Sequence, residues 1–262
     1  MKLKLFLLML AANFLAYSQF HIKPAGKEIS IKYERGKTNK LKVDAPVKVI
    51  FKISSEATKT LIEVRGYENI VSLLRVSVHK GELMLEYKSS KVPRTQDYPV
   101  VNITMPSISR ISVMRAAEFV CISPLILQDM DVLATGASSV KLPIVDAKYL
   151  SLNVSGTSDI KIIDLKKSEK LSVILSGASD VFIQKGEDVK RAEVSVSGAS
   201  DLKMRSIPVK EMVLKISGVS DAYVKVIDML SVAASGTSDV FVYGKPKNVK
   251  KEVSGQSHVI IK

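Results

Sequence analysis

Residues 150–162 read LSLNVSGTSDIKI. Leu150, Leu152 and Val154 alternate before a polar insert, and Ile160 and Ile162 alternate after it. A period of two marks a strand with one buried face. The insert, Ser155-Gly156-Thr157-Ser158-Asp159, has turn chemistry. Glycine tolerates positive φ, and Ser and Asp side chains hydrogen-bond nearby backbone. The unit returns as LSGASDV, VSGASDL, ISGVSDA, ASGTSDV and VSGQSHV.

Aligning Gly136, Gly156, Gly177, Gly198, Gly218, Gly236 and Gly255 gives intervals of 20, 21, 21, 20, 18 and 19 residues. A repeat near twenty marks a solenoid. One further step back reaches Arg115, where the apolar frame persists without the Ser-Gly-Asp residues. Each unit reads as strand, tight turn, strand and a variable return such as DLKKSEK or QKGEDVKR. No unit carries a helical period of useful length. The expectation is an all-β parallel β-helix whose coils stack about 4.8 Å apart. A single coil cannot cover its own apolar rims, so only stacking makes it stable, and the motif must recur. A left-handed hexapeptide helix would need an apolar residue every six positions, which the drifting period opposes. Equivalent serines such as Ser155, Ser176, Ser197 and Ser217 are expected to form ladders along the corner.

Upstream, KISSEATKTLIEV (52–64) reads as a worn copy of the unit. LLRVSVHKGELMLEY reads as a β-hairpin turning at Lys80-Gly81. KSSKVPRTQDY (88–98) reads as a polar loop and PVVNITMP as a strand. We place a signal peptide at 1–18, irregular β coils and a cap at 19–110, and the regular β-helix at 111–262.

The signal peptide rests on Lys2 and Lys4, the apolar run from Leu5 to Ala16, and small residues at Ala16 and Ser18. That run is short for a bilayer span, and no later stretch reads as a transmembrane segment. Export to the periplasm, the outer membrane or the cell surface is expected. The lone Cys121 lies in apolar EFVCISPLIL and reads as a small buried hydrophobe. Net charge is +13. The lysines are scattered, without the aromatic interleaving that stacks bases, so nucleic acid is not an expected partner.

Asp159, Asp180, Asp201, Asp221 and Asp239 share one motif position and should form a column. Neighbouring carboxylates at that spacing repel by roughly 0.9 kcal/mol in water. The column must therefore be solvated, hydrogen-bonded or bridged by cations. Turn capping explains a residue that recurs at every turn; a catalytic acid is normally placed once. His21, His79 and His258 fall in three separate regions and do not compose a zinc site. A Ser257-His258-Asp set exists only on paper. We assign no catalytic, cofactor-binding or metal-ligating residue and no cofactor.

The SG-x-SD turns, with VSVHKGELMLEY and PVVNITMPSISRISV ahead of them, resemble the putative autotransporter-adhesin, head GIN domain family of Bacteroidetes-type bacteria. The resemblance covers about residues 40–262. It implies a right-handed parallel β-helix, similar to pectin-lyase-like folds without their catalytic residues, and a role in cell adhesion. The expected function is therefore a non-enzymatic exported module that binds a glycan or protein. The alternative is a polysaccharide-active enzyme on the same fold, for which Arg115, Arg191 and Arg205 are the available basic residues.

Overall fold

The computed structural model describes residues 22–88 and 97–262. The expected signal peptide, His21 and most of the 88–98 loop lie outside the described residues.

The described chain opens with β1 (Glu28–Arg35), β2 (Lys40–Asp44), β3 (Lys48–Ile53) and β4 (Thr60–Tyr67). A single helical turn, α1 (Glu68–Val71), then leads into β5 (Leu74–His79), β6 (Glu82–Tyr87) and β7 (Val100–Met105). β2 and β3 make a first coil, turning through Asp44 to Val47. This coil is not followed in space by the next one in sequence. On one side it pairs with β6 and β7; on the other it pairs with β8 (Arg110–Val113) and β9 (Glu118–Cys121). β4 runs antiparallel to both β7 and β1, so KISSEATKTLIEV is not a coil of the stack. Its second half leaves the helix and helps to finish that end. The hairpin expected around Lys80-Gly81 is present as β5 and β6, with φ of 47° and 77° at the two turn residues, the signs a two-residue hairpin turn requires. These antiparallel strands supply the atypical end that a solenoid needs to cover its first apolar rim.

From β8 onward the ladders are parallel. β10 (Leu125–Ala134), β11 (Ser139–Val154), β12 (Asp159–Leu165), β13 (Ser168–Leu175), β14 (Asp180–Gly186) and β15 (Val189–Val196) are followed by β16 (Asp201–Ile216), β17 (Asp221–Ala234), β18 (Asp239–Tyr243), β19 (Asn248–Val253) and β20 (His258–Ile261). One ladder precedes the SG-x-S turns and the other follows them. Inward residues stack like on like: Leu41, Ile111, Val132, Leu152, Val173, Val194, Leu214 and Val232 occupy one register line, all buried. Cys121 belongs to the same core, its thiol pushed up by burial and donating to the Ser123 carbonyl at 3.2 Å.

The turn glycines are demanded twice over. Gly156 has φ 80°, and a Cβ on it would lie 2.5 Å from the carbonyl oxygen of Gly136 in the adjacent coil. Arg115, the position reached by stepping the repeat backward, has φ 64° and keeps the turn conformation after losing the glycine. Its Nε pairs with Asp44 in the first coil.

The serine ladder runs through the other serine of the motif. Ser155, Ser176, Ser197 and Ser217 are only partly buried, whereas Ser138, Ser158, Ser179, Ser200, Ser220, Ser238 and Ser257 are buried. Ser179, Ser200 and Ser238 each donate through Oγ to the carbonyl three residues back, at 2.8, 3.1 and 3.1 Å. Across coils, Ser138, Ser179, Ser200 and Ser238 each donate N–H to the next serine's Oγ at 3.2 Å, and the Oγ atoms of Ser179, Ser200 and Ser238 also donate to the Gly156, Gly177 and Gly218 carbonyls at 3.3, 3.3 and 3.2 Å. No buried side-chain N or O among the described residues lacks a partner.

Candidate functional site

Two outward faces offer themselves. Across the first ladder the central outward lines are small or mixed in polarity: Asn153, Ile174, Ser195, Lys215, Ala233 and Glu252 in one, Ser151, Ser172, Glu193, Val213, Ser231 and Lys250 in the next. The second ladder is chemically richer. Its first outward line is the aspartate column, in register as Ser139, Asp159, Asp180, Asp201, Asp221, Asp239 and His258. Two residues further on, a second line carries Lys141, Lys161, Phe182, Lys203, Tyr223, Phe241 and Ile260.

The column is hydrogen-bonded as well as solvated. Ser139 donates to Asp159 at 2.9 Å, the Asp201 amide to Asp180 at 3.1 Å, and Lys203 to Asp201 at 2.8 Å. The Tyr223 hydroxyl lies 3.5 Å from Asp221, and His258 Nδ1 lies 3.0 Å from Asp239. The aspartates thus bond to the adjacent coil or to a residue two further along their own strand, while the serines cap the turn itself. Asp221 sits between two carboxylates. Burial, then the charges of Asp201 and Asp239, hold its carboxyl above the ordinary aspartate range. Lys203 is held above the usual lysine range by its bond to Asp201 and stays protonated. Among the described residues no group of three or more His, Cys, Asp or Glu is placed to hold a metal ion.

The second line makes an aromatic strip. Tyr223 and Phe241 stack at 4.9 Å with their planes 13° apart. Lys161 Nζ lies 5.6 Å from the Phe182 ring centroid, and Lys262 Nζ lies 5.0 Å from Phe241 and 5.4 Å from Tyr243. These are cation–π distances. Phe182 leaves 39% of its surface exposed.

The arginines do not converge. Arg115 sits at a turn against Asp44, Arg191 pairs with Glu193 on the first ladder at 3.3 Å, and Arg205 lies in β16 between the paired residues Met204 and Pro208. Ser257, just before β20, and His258, at its start, face opposite sides: Ser257 Oγ accepts the Ser238 amide inside, while His258 meets Asp239 outside. His79 is exposed at the end of β5. The sequence reading passed over the aromatic strip, although the signal was there. Phe182, Tyr223 and Phe241 each stand two residues after a motif aspartate.

The family described as "Putative auto-transporter adhesin, head GIN domain" matches residues 37–246. Among solved structures, one from Parabacteroides distasonis described as a putative adhesin is 23% identical with a TM-score of 0.81, the match covering 92% of this chain and 100% of that one. A second, from Parabacteroides merdae and also described as a putative adhesin, is 21% identical with a TM-score of 0.79, covering 93% and 100%. A third, a Parabacteroides distasonis protein described as a putative lipid binding protein, is 18% identical with a TM-score of 0.81, covering 92% and 99%. At these identities the likeness shows a shared fold. No curated protein matches the chain.

Proposed function

We propose that this chain, which belongs to the auto-transporter adhesin, head GIN domain family, is an exported, non-enzymatic binding module that holds a glycan or protein partner at the cell envelope. The observation that carries the reading is the strip of Phe182, Tyr223, Phe241 and Tyr243, interleaved with lysines on a stacked ladder. Side chains on such a ladder lose little freedom on binding, which favours recognition by a preformed surface. Aromatic faces beside cations suit the C–H face of a sugar or an apolar protein anchor. Among the described residues none of the three arginines pairs with the aspartate column, and the carboxylates recur along it at every coil, which favours binding over hydrolysis.

On this reading residues 1–18 direct export, 19–110 finish the helix and 111–262 carry the binding face. No helix among the described residues is long and apolar enough to cross a membrane. The test is adhesion of beads coated with the mature chain to host and bacterial cell surfaces. A Tyr223→Ser, Phe241→Ser double variant should lose adhesion while keeping its melting temperature within a few degrees. Equal adhesion by the variant counts against the strip. Release of reducing ends from an acidic polysaccharide by the wild type would replace the reading with the enzymatic one. Amino-terminal sequencing of envelope protein should begin at Gln19; an intact Met1 would refute export by this segment.

A further inference from the structure

The parallel stack is broken at one place on the aromatic face. Between β12 and β14 the register continues to Leu165 opposite Gly186, but between β14 and β16 it stops at Phe182 opposite Lys203. On the other side of β16, Met204 opposes Val224, and the next pair is Pro208 with Lys225. Arg205, Ser206 and Ile207 are therefore extruded from the ladder. One residue is regained beyond Val209, where Glu211 opposes Met229. The net loss of two is the shortening from 20 to 18 residues between successive turn glycines at Gly218 and Gly236. Ile207 turns inward and is buried, leaving Arg205 and Ser206 outside.

The break opens a recess of about 380 Å³ lined by Phe182, Ile183, Gln184, Lys203, Arg205, Ser206 and Tyr223. Its volume falls within the range of small-ligand clefts, roughly 300–1,000 Å³. Two aromatic rings stand one coil to either side of Lys203, about 10 Å apart. Arg205 makes no ion pair among the described residues, and no carboxylate lines the recess. Asp201, two residues before Lys203, is already held by it at 2.8 Å. The recess thus offers an uncommitted guanidinium, an amide, a hydroxyl and two apolar rings, beside a lysine already paired with Asp201.

We propose that this recess is a subsite for an acidic sugar, a uronate or a sulfated pyranose, within a longer glycan. Arg205 takes the carboxylate or sulfate as a paired donor. Gln184 and Ser206 bond the ring hydroxyls, and Phe182 or Tyr223 meets the C–H face of the sugar. The proposal rests on the binding reading above and gives it a ligand class. An acidic peptide would satisfy the charges but lacks a flat C–H face to match the rings.

The test is titration calorimetry of the full mature chain with oligogalacturonate, chondroitin sulfate, neutral dextran and polyglutamate. Oligogalacturonate or chondroitin sulfate should bind and dextran should not. Arg205→Gln and Phe182→Ala should each weaken binding about tenfold or more, as loss of a charged hydrogen bond or an aromatic wall does. Arg191→Gln, on the other ladder, should bind like the wild type. Equal loss with Arg191→Gln, no loss with either recess variant, or polyglutamate binding that depends equally on Arg205 would each overturn the proposal. Bead adhesion measured in parallel separates the two claims. Adhesion retained by Arg205→Gln and lost by the Tyr223, Phe241 double variant would sink the subsite and leave the binding module standing.

Discussion

Gly177 lies directly over Gly156: a Cβ on Gly177 would fall 2.5 Å from the Gly156 carbonyl oxygen and 3.0 Å from its amide nitrogen. The Gly156 carbonyl already accepts the Ala178 amide at 2.8 Å, so it cannot move aside without losing that bond. With φ at 86°, the residue is strained by any side chain as well. Gly177→Val should lower stability by on the order of 3 kcal/mol or more. Ser172→Val, on an outward strand position, should change it by less than about 1 kcal/mol. Urea denaturation of both checks this, and matching midpoints would refute the close stacking of the turns.

The two serines of each turn should differ sharply. Ser200 Oγ is buried, donates to Ser197 and accepts the Ser179 amide. Ser200→Ala leaves that amide without a partner, which costs about 1–3 kcal/mol. Ser197 is partly exposed, and water can replace its bond to Leu175. Ser197→Ala is expected to cost under about 1 kcal/mol. Equal losses in chemical denaturation would mean that the ladder runs through the wrong serine.

Asp221 gives a pH-dependent stability with a definite sign. Its folded pKa lies above the ordinary value of 3.8, because burial and then Asp201 and Asp239 disfavour the charged form. A raised acid binds its proton more tightly in the folded state, so its contribution is present in acid and lost as pH rises through the folded pKa. Asp221→Asn removes the penalty and keeps an acceptor for Tyr223. The variant should melt higher than the wild type near about pH 7, and the gap should close below about pH 3. A constant gap at both pH values would exclude charge as its cause. Calcium should leave both melting temperatures unchanged, since a ligand bound only by the native state would raise them.

The far end of the helix is guarded by one residue. Lys251 occupies the inward line held by Val232, Leu214 and Val194 in the preceding coils, and its Nζ donates to the Val259 carbonyl at 2.9 Å. Around it, Val249, Val253 and Ile261 are exposed on the last coil. An inward charge on an edge strand opposes addition of another strand. Lys251→Val should therefore increase concentration-dependent self-association, read by sedimentation velocity. Identical sedimentation of variant and wild type across concentrations would assign Lys251 no such role.

The coil, the turn and the aspartate column were legible from residues 136–262 because a stacked solenoid repeats one local solution, and local chemistry is written locally. Glycine at a fixed interval and alternation of period two were enough. The choice between Ser197 and Ser200 for the ladder was not legible, since both are serine and only burial separates them. The aromatic strip was half legible: Phe182, Tyr223 and Phe241 share one motif offset, but their value comes from adjacency across coils.

The sequence by itself determined that this chain stacks about twenty residues per coil and turns on Ser-Gly-x-Ser, because each such unit leaves apolar rims and backbone groups that only its neighbours can cover. The tertiary structure alone decided the order of the first coils, where β2 and β3 lie between segments that come much later in the chain. It also decided that the two residues lost between Gly218 and Gly236 are taken out at Arg205 to Ile207, opening a recess beside Phe182. Both are matters of long-range pairing: a strand's pattern states that one face must be buried, but any apolar partner in register satisfies it, and the choice among partners is made only when the whole stack closes.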